Sequence, residues 1–156
     1  MNINGNRVHF SAQEFNPKDG KIKDPEEVVI FLIGAPLRVS ASIGWEGPES
    51  LAEQCKAKTY SVDARPVGNF SGNAIDLEVA AILKFLDDPD HPKFKKVTFV
   101  AHSVGFPKVL KLAARIEEEE KDMQVKGVVG MNPVGFYPQG KAEIFANYFA
   151  DGANQP

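Results

Sequence analysis

The segment Val28-Val29-Ile30-Phe31-Leu32-Ile33 constrains this chain most: six apolar residues stand in a row with no polar residue at alternate positions. A strand with one face in water alternates apolar and polar side chains. This run does not, so it reads as a strand buried on both faces, the kind that parallel sheets hold between two layers of helices.

The rest of the chain repeats the theme. Val8, Phe10 and Ala12 alternate with His9 and Ser11, the period of a half-buried strand. Asn16 to Gly20 is turn chemistry. Pro48 suits the first turn of a short helix reaching Lys56. Thr59 to Val62 reads as a second parallel strand ending at Asp63, followed by a Gly-, Pro-, Asn- and Ser-rich loop from Ala64 to Gly72. Ile75, Val79, Ile82, Leu83 and Leu86 mark one helix face, which Asp87 to Pro92 stops. Val97 to Ala101 is another buried strand. Val109, Leu112, Ala113 and Ile116 give helical spacing, and Val125 to Met131 is a further short apolar strand. Ile144, Phe145, Tyr148 and Phe149 suggest a last short amphipathic helix.

Strands alternating with helices predict an α/β fold: a mostly parallel, twisted sheet with helices on both faces and right-handed crossovers. Val28–Ile33 should lie parallel beside Val97–Ala101, because the winding reverses there, flanked by helices Ile75–Leu86 and Pro107–Glu119. Ligands in such sheets bind beyond the carboxyl ends of the strands. The loops after Ile33, Val62, Ala101 and Met131 are therefore the places to look.

Composition narrows the function classes. With 156 residues there is enough chain for one domain with a core. A net charge of -3 and the lack of a basic arm argue against a nucleic-acid partner. Cys55 is the sole cysteine, which excludes an internal disulfide and fits a reducing compartment. The polar N-terminus lacks the apolar run of a secretory signal, and no stretch approaches the ~18 apolar residues of a membrane span. A cytoplasmic location is the expectation.

The loop after Ala101 carries the sharpest chemical signal. Ala101-His102-Ser103-Val104-Gly105 is a small-x-Ser-x-small pattern joining a buried strand directly to a helix. Such a turn holds its middle residue in strained backbone geometry, and small residues two before and two after it avoid a clash. The Ser103 hydroxyl is then lifted above the sheet. The Val104 N–H lies at the helix N-terminus, where unpaired amides and the helix dipole favour negative charge. An acyl-transfer oxyanion fits that place. The alternative is that Ser103 merely caps the helix.

On these residues the chain resembles the α/β-hydrolase family, through that family's first six strands. Gly34-Ala35-Pro36 looks like the family's oxyanion loop after its third strand, with Ile33 where His is usual, which implies Ala35 N–H as the second oxyanion donor. Asp63-Ala64-Arg65-Pro66-Val67-Gly68-Asn69-Phe70-Ser71 is similar to the family's loop after its fourth strand, with Pro66 where Gly is usual. Trp45 falls near a recurrent family aromatic. Val128-Val129-Gly130-Met131-Asn132-Pro133 looks like the sixth strand and its exit. The resemblance divides the chain into a partial core over 1–140 and, over 141–156, the start of a lid or a tail. It implies a serine hydrolase, esterase- or lipase-like, acting on a small-molecule or lipid ester, thioester or amide through an acyl-enzyme at Ser103, without a cofactor.

By the same resemblance the acid and the histidine of the triad would follow the seventh and eighth strands, which are not in this sequence. None of the three histidines replaces them: His9 is on the first strand, His91 in a Pro-flanked turn at the other end of the sheet, and His102 points away from Ser103. Asp63 is at the correct edge but in the family more often orders its loop, and Asn132 cannot serve as an acid. Asp87, Asp88, Asp90 and His91 read as a solvated turn before they read as a metal site; Gly34, Gly44 and Gly47 lack dinucleotide-binding spacing. Glu117 to Glu120 is a solvated helix end. Phe145, Tyr148 and Phe149 either line an acyl pocket or pack in a core. A non-catalytic binding or interaction protein on the same half-sheet stays open as the second class. In either case Val125–Met131 would be an exposed apolar edge, expected to pair with a second copy of the chain or with a missing segment.

Overall fold

A computed structural model describes residues 1–32, 47–119 and 121–131. Strand β3 (Glu27–Leu32) is the apolar run read from the sequence, and Val28 to Leu32 are each 4% exposed or less. Alternate residues feed two separate cores. Val28, Ile30 and Leu32 join the larger one, whereas Val29 and Phe31 join a smaller one. Both faces of the strand are therefore buried, which is why its sequence does not alternate.

Six strands form one sheet in the order β1-β2-β4-β3-β5-β6. Strands β1 (Asn2–Ile3) and β2 (Asn6–Phe15) pair antiparallel, and β2 lies antiparallel on β4 (Lys58–Pro66). β4, β3, β5 (Lys96–His102) and β6 (Gln124–Met131) are mutually parallel. β3 and β5 are neighbours, with Val28 opposite Val97 and Leu32 opposite Ala101. The chain passes from β3 outward to β4, then crosses back over β3 to reach β5. The winding thus reverses at β3, and the carboxyl ends of β3 and β5 flank the crevice where such sheets bind ligands.

Helices cover both faces. Helix α1 (Gly47–Cys55) lies on the smaller core through Leu51, which packs against the cluster of Val29, Phe31, Ala57 and Val100. Helices α2 (Ala74–Leu86) and α3 (Gly105–Glu118) bury Val79, Ile82, Leu86, Val109, Leu112 and Ile116 in the larger one. α2 starts where Asn73 accepts a hydrogen bond from the Ile75 N–H at 2.8 Å, satisfying one of the open amides of its first turn. It stops at Asp87, whose N–H donates to the Leu83 carbonyl at 3.0 Å.

Three elements differ from the sequence reading. β4 does not end at Asp63 but runs on to Pro66, because the antiparallel ladder with β2 continues to the pair Val8–Pro66. Proline donates no hydrogen bond, and at Pro66 β4 has run past its last pair with β3 at Val62, so it stands where the strand is paired on one side only. In β2 the expected inward face fades along its length: Val8 is buried, Phe10 half-buried and Ala12 exposed. The short β1 carries too few residues to show a period. β6 bonds to β5 alone, and Val129 is 49% exposed, so among the described residues it is an open edge of the sheet.

Candidate active site

β5 ends at His102 and α3 begins at Gly105, so two residues, Ser103 and Val104, turn the chain from strand to helix. Ser103 has φ +54°. A residue with a Cβ occupies this left-handed region at a cost of roughly 1–2 kcal/mol, so surrounding bonds must hold it there. They are present. The Ser103 N–H donates to the Met131 carbonyl at 3.0 Å, and the Ser103 carbonyl accepts from the Phe106 N–H at 3.2 Å.

The small residues either side have a visible reason. Ala101 is wholly buried and pairs with Leu32 in the sheet. A Cβ on Gly105 would stand 3.0 Å from the Leu32 carbonyl oxygen and 3.3 Å from its Cβ. One residue of the central strand therefore lies against both small positions of the pattern. The expected alternative, Ser103 as helix cap, is not what forms: Val104 takes that position, with helical φ -69° and ψ -7° and no side-chain cap. Among the described residues the Val104 N–H makes no hydrogen bond. Among those residues it is left open, at the N-terminus of a fourteen-residue helix, where the dipole favours a negative charge.

The histidines fall apart. His9 lies on β2 opposite Arg65 and is exposed. His91 packs its ring on Phe85, 4.6 Å between centroids, and on Tyr60 at 6.0 Å, at the amino end of the strands. His102 adjoins Ser103 in the chain and is half-buried, and burial lowers its pKa below the ordinary histidine value. Asp63 pairs with the Arg65 Nε at 3.1 Å. The loop that follows is pinned by buried Asn6, whose side-chain oxygen accepts from the Ser71 N–H at 2.9 Å and from the Ser71 hydroxyl at 3.4 Å. Two carboxylates of the 87–91 turn have protein partners: Asp87 pairs with Lys121, and Asp88 accepts from the Asp90 N–H. A cavity of about 460 Å³ lined by Asp88, His91, Lys93, Phe94 and Asp122 lies at this amino end, away from Ser103. Ala35 and its neighbours Gly34 and Pro36, Trp45, Asn132, Pro133 and the aromatic residues 145, 148 and 149 lie outside the described residues.

One ionised pair escaped the sequence reading. Glu78 of α2 is 7% exposed and forms an ion pair with Lys108, which closes the first turn of α3. A signal existed: Glu78 stands three residues after Ile75 and four before Ile82, on the stripe that faces the core.

The sheet order, the antiparallel second strand and the strained turn from β5 to α3 define an α/β-hydrolase-like fold. No protein-family model matches the chain, and no curated protein matches it. Among solved structures it is similar to the crystal structure of DphMB1, with a TM-score of 0.60 and 14% identity over 94% of this chain and 50% of that one. It is also similar to the crystal structure of a monoacylglycerol lipase from Paleococcus ferrophilus, with a TM-score of 0.54 and 17% identity over 95% of this chain and 52% of that one. At these identities the likeness is one of fold. The chain spans about half the length of both structures. Among the described residues no helix is long and apolar enough to cross a membrane.

Proposed function

We propose that the chain is the elbow-bearing part of a serine hydrolase that cleaves a carboxylic ester, thioester or amide through an acyl-enzyme at Ser103. The observation that carries this reading is the φ of +54° at Ser103, on a turn where a Cβ on Gly105 would crowd the Leu32 carbonyl oxygen at 3.0 Å. Backbone strain of that kind is kept where a side chain must be presented. In the reaction the Ser103 oxygen bonds to the substrate carbonyl carbon as a base takes its proton. The Val104 N–H, with Ala35 N–H as its second donor, holds the oxyanion. The bond to the leaving group then breaks as that group takes the proton, and water releases the acyl group by the same steps in reverse. The monoacylglycerol lipase among the similar structures supports an ester as the substrate, which includes lipid esters.

The base belongs to the intact gene product in this reading, because the family pattern sets it after strands beyond β6. A serine hydroxyl is a weak nucleophile near neutral pH without one. The decisive assay is hydrolysis of a short-chain nitrophenyl ester by the intact gene product and by its Ser103→Ala variant. Rapid turnover that the substitution abolishes supports the reading; equal rates refute it. The second reading, a non-catalytic interaction protein, is favoured by the positions of His9 and His91 away from the elbow, and equal rates are its expected result. The 156-residue chain alone is expected to hydrolyse the ester poorly, retaining at most the ~10³–10⁴-fold gain over water that binding and an oxyanion site supply without a triad.

A further inference from the structure

Among the described residues Glu78 is the only buried carboxylate. A carboxylate removed from water is costly unless it is paired, and replacing such a pair with apolar residues is often neutral or stabilising. The Glu78–Lys108 pair therefore asks for a reason other than stability. Its position offers one. Lys108 stands three residues after Gly105, at the end of the first turn of α3, where the helix dipole repels a cation. Glu78 holds it there from α2, with both side chains largely enclosed. One turn further along, Asp76 pairs with Lys111 and repeats the link between the same two helices in a more exposed setting. α3 is thus held by the Gly105–Leu32 contact and by two ion pairs to α2.

We propose that Glu78 and Lys108 are positioning residues for the elbow: the pair fixes the first turn of α3 so that the Val104 amide and the Ser103 side chain keep their mutual geometry. This rests on Ser103 as the nucleophile. Neither residue touches the reacting atoms. The paired carboxylate also offsets part of the positive charge that Lys108 brings to the first turn, so its loss changes both the placement and the field of that turn.

The test uses the intact gene product and the variants Glu78→Gln, Lys108→Met, Lys108→Arg and the double Glu78→Gln/Lys108→Met. Two readouts are taken: kcat and KM for a short-chain nitrophenyl ester, and amide exchange at Phe106, whose N–H closes the elbow onto Ser103. The single variants should lower kcat about tenfold with KM within about twofold, and speed exchange at Phe106. Lys108→Arg should restore both. The double variant should be no worse than the worse single one, since the two residues act as a unit. If the single variants fail to fold, the double variant decides, because it leaves no unpaired buried charge. A folded double variant with unchanged kcat and unchanged exchange at Phe106 overturns the proposal. If Ser103→Ala leaves hydrolysis intact, the nucleophile reading fails, while the exchange at Phe106 still decides whether the pair holds the turn.

Discussion

Gly105 lies against the Leu32 backbone so closely that its missing side chain is part of the fold: a Cβ there would meet the Leu32 carbonyl oxygen at 3.0 Å. Leu32 belongs to the central strand and is held by neighbours on both sides, so it cannot retreat. Gly105→Val should therefore lower stability by about 2 kcal/mol, the range for forcing extra atoms into a packed interior. Alanine should cost less, because its gain in helix propensity of about 1 kcal/mol opposes the clash. Urea melts of the two variants beside the parent check the order.

Ser103 pays in backbone strain for its place on the turn. Glycine enters the left-handed region freely, so Ser103→Gly should raise stability by about 0.5–1 kcal/mol after the entropy that glycine adds to the unfolded chain is counted. Ser103→Val, branched at Cβ, should lower it by about 1 kcal/mol or more. Thermal melts read both. A glycine variant less stable than the parent would mean that the serine side chain, rather than the turn, holds this geometry.

Tyr60 donates its hydroxyl to Glu14 at 2.9 Å, and burial, then the hydrogen bond and charge of Glu14, raise its pKa well above the ordinary phenol. The sign follows from the raised value. The unfolded phenol ionises near pH 10, so the Tyr60 contribution is whole below about pH 10 and is lost as pH climbs towards the folded value. Tyr60→Phe should cost about 1 kcal/mol near neutral pH and flatten the alkaline limb of the stability profile. Urea melts from pH 7 to 11 should show the two curves converging as the pH rises.

Val129 stands half-exposed on β6, a strand that bonds on one side only among the described residues. The 156-residue chain is expected to self-associate along this edge, and Val129→Lys should weaken the association, since a lysine on an edge strand opposes pairing with a second copy. Sedimentation velocity across a concentration series separates the two. Identical behaviour of parent and variant would remove β6 as the contact.

Much of the fold is legible in the sequence because it is written in continuous runs. The unbroken apolar stretch at Val28 and the Ala101-x-Ser103-x-Gly105 spacing each depend on neighbours a few residues away, and their places in the sheet and the turn follow. What escapes depends on partners far along the chain. Pro66 reads as loop from its neighbours, yet it is strand because Val8 lies opposite it. Glu78 reads as one polar residue on an apolar stripe, and its meaning lies thirty residues on, at Lys108. The strained turn at Ser103 is legible and the groups that would act with it are not, since a base is set by proximity in space rather than by spacing in sequence.

The hydrogen bond from Ser103 N–H to the Met131 carbonyl ties the turn to the last residue of β6. A strand supported along one flank frays at a lower free energy than the sheet centre opens. Each fraying of β6 at Met131 releases the bond that helps keep Ser103 left-handed. The turn at Ser103 is therefore coupled to the sheet margin through Met131 as well as to the central strand through Gly105 and Leu32.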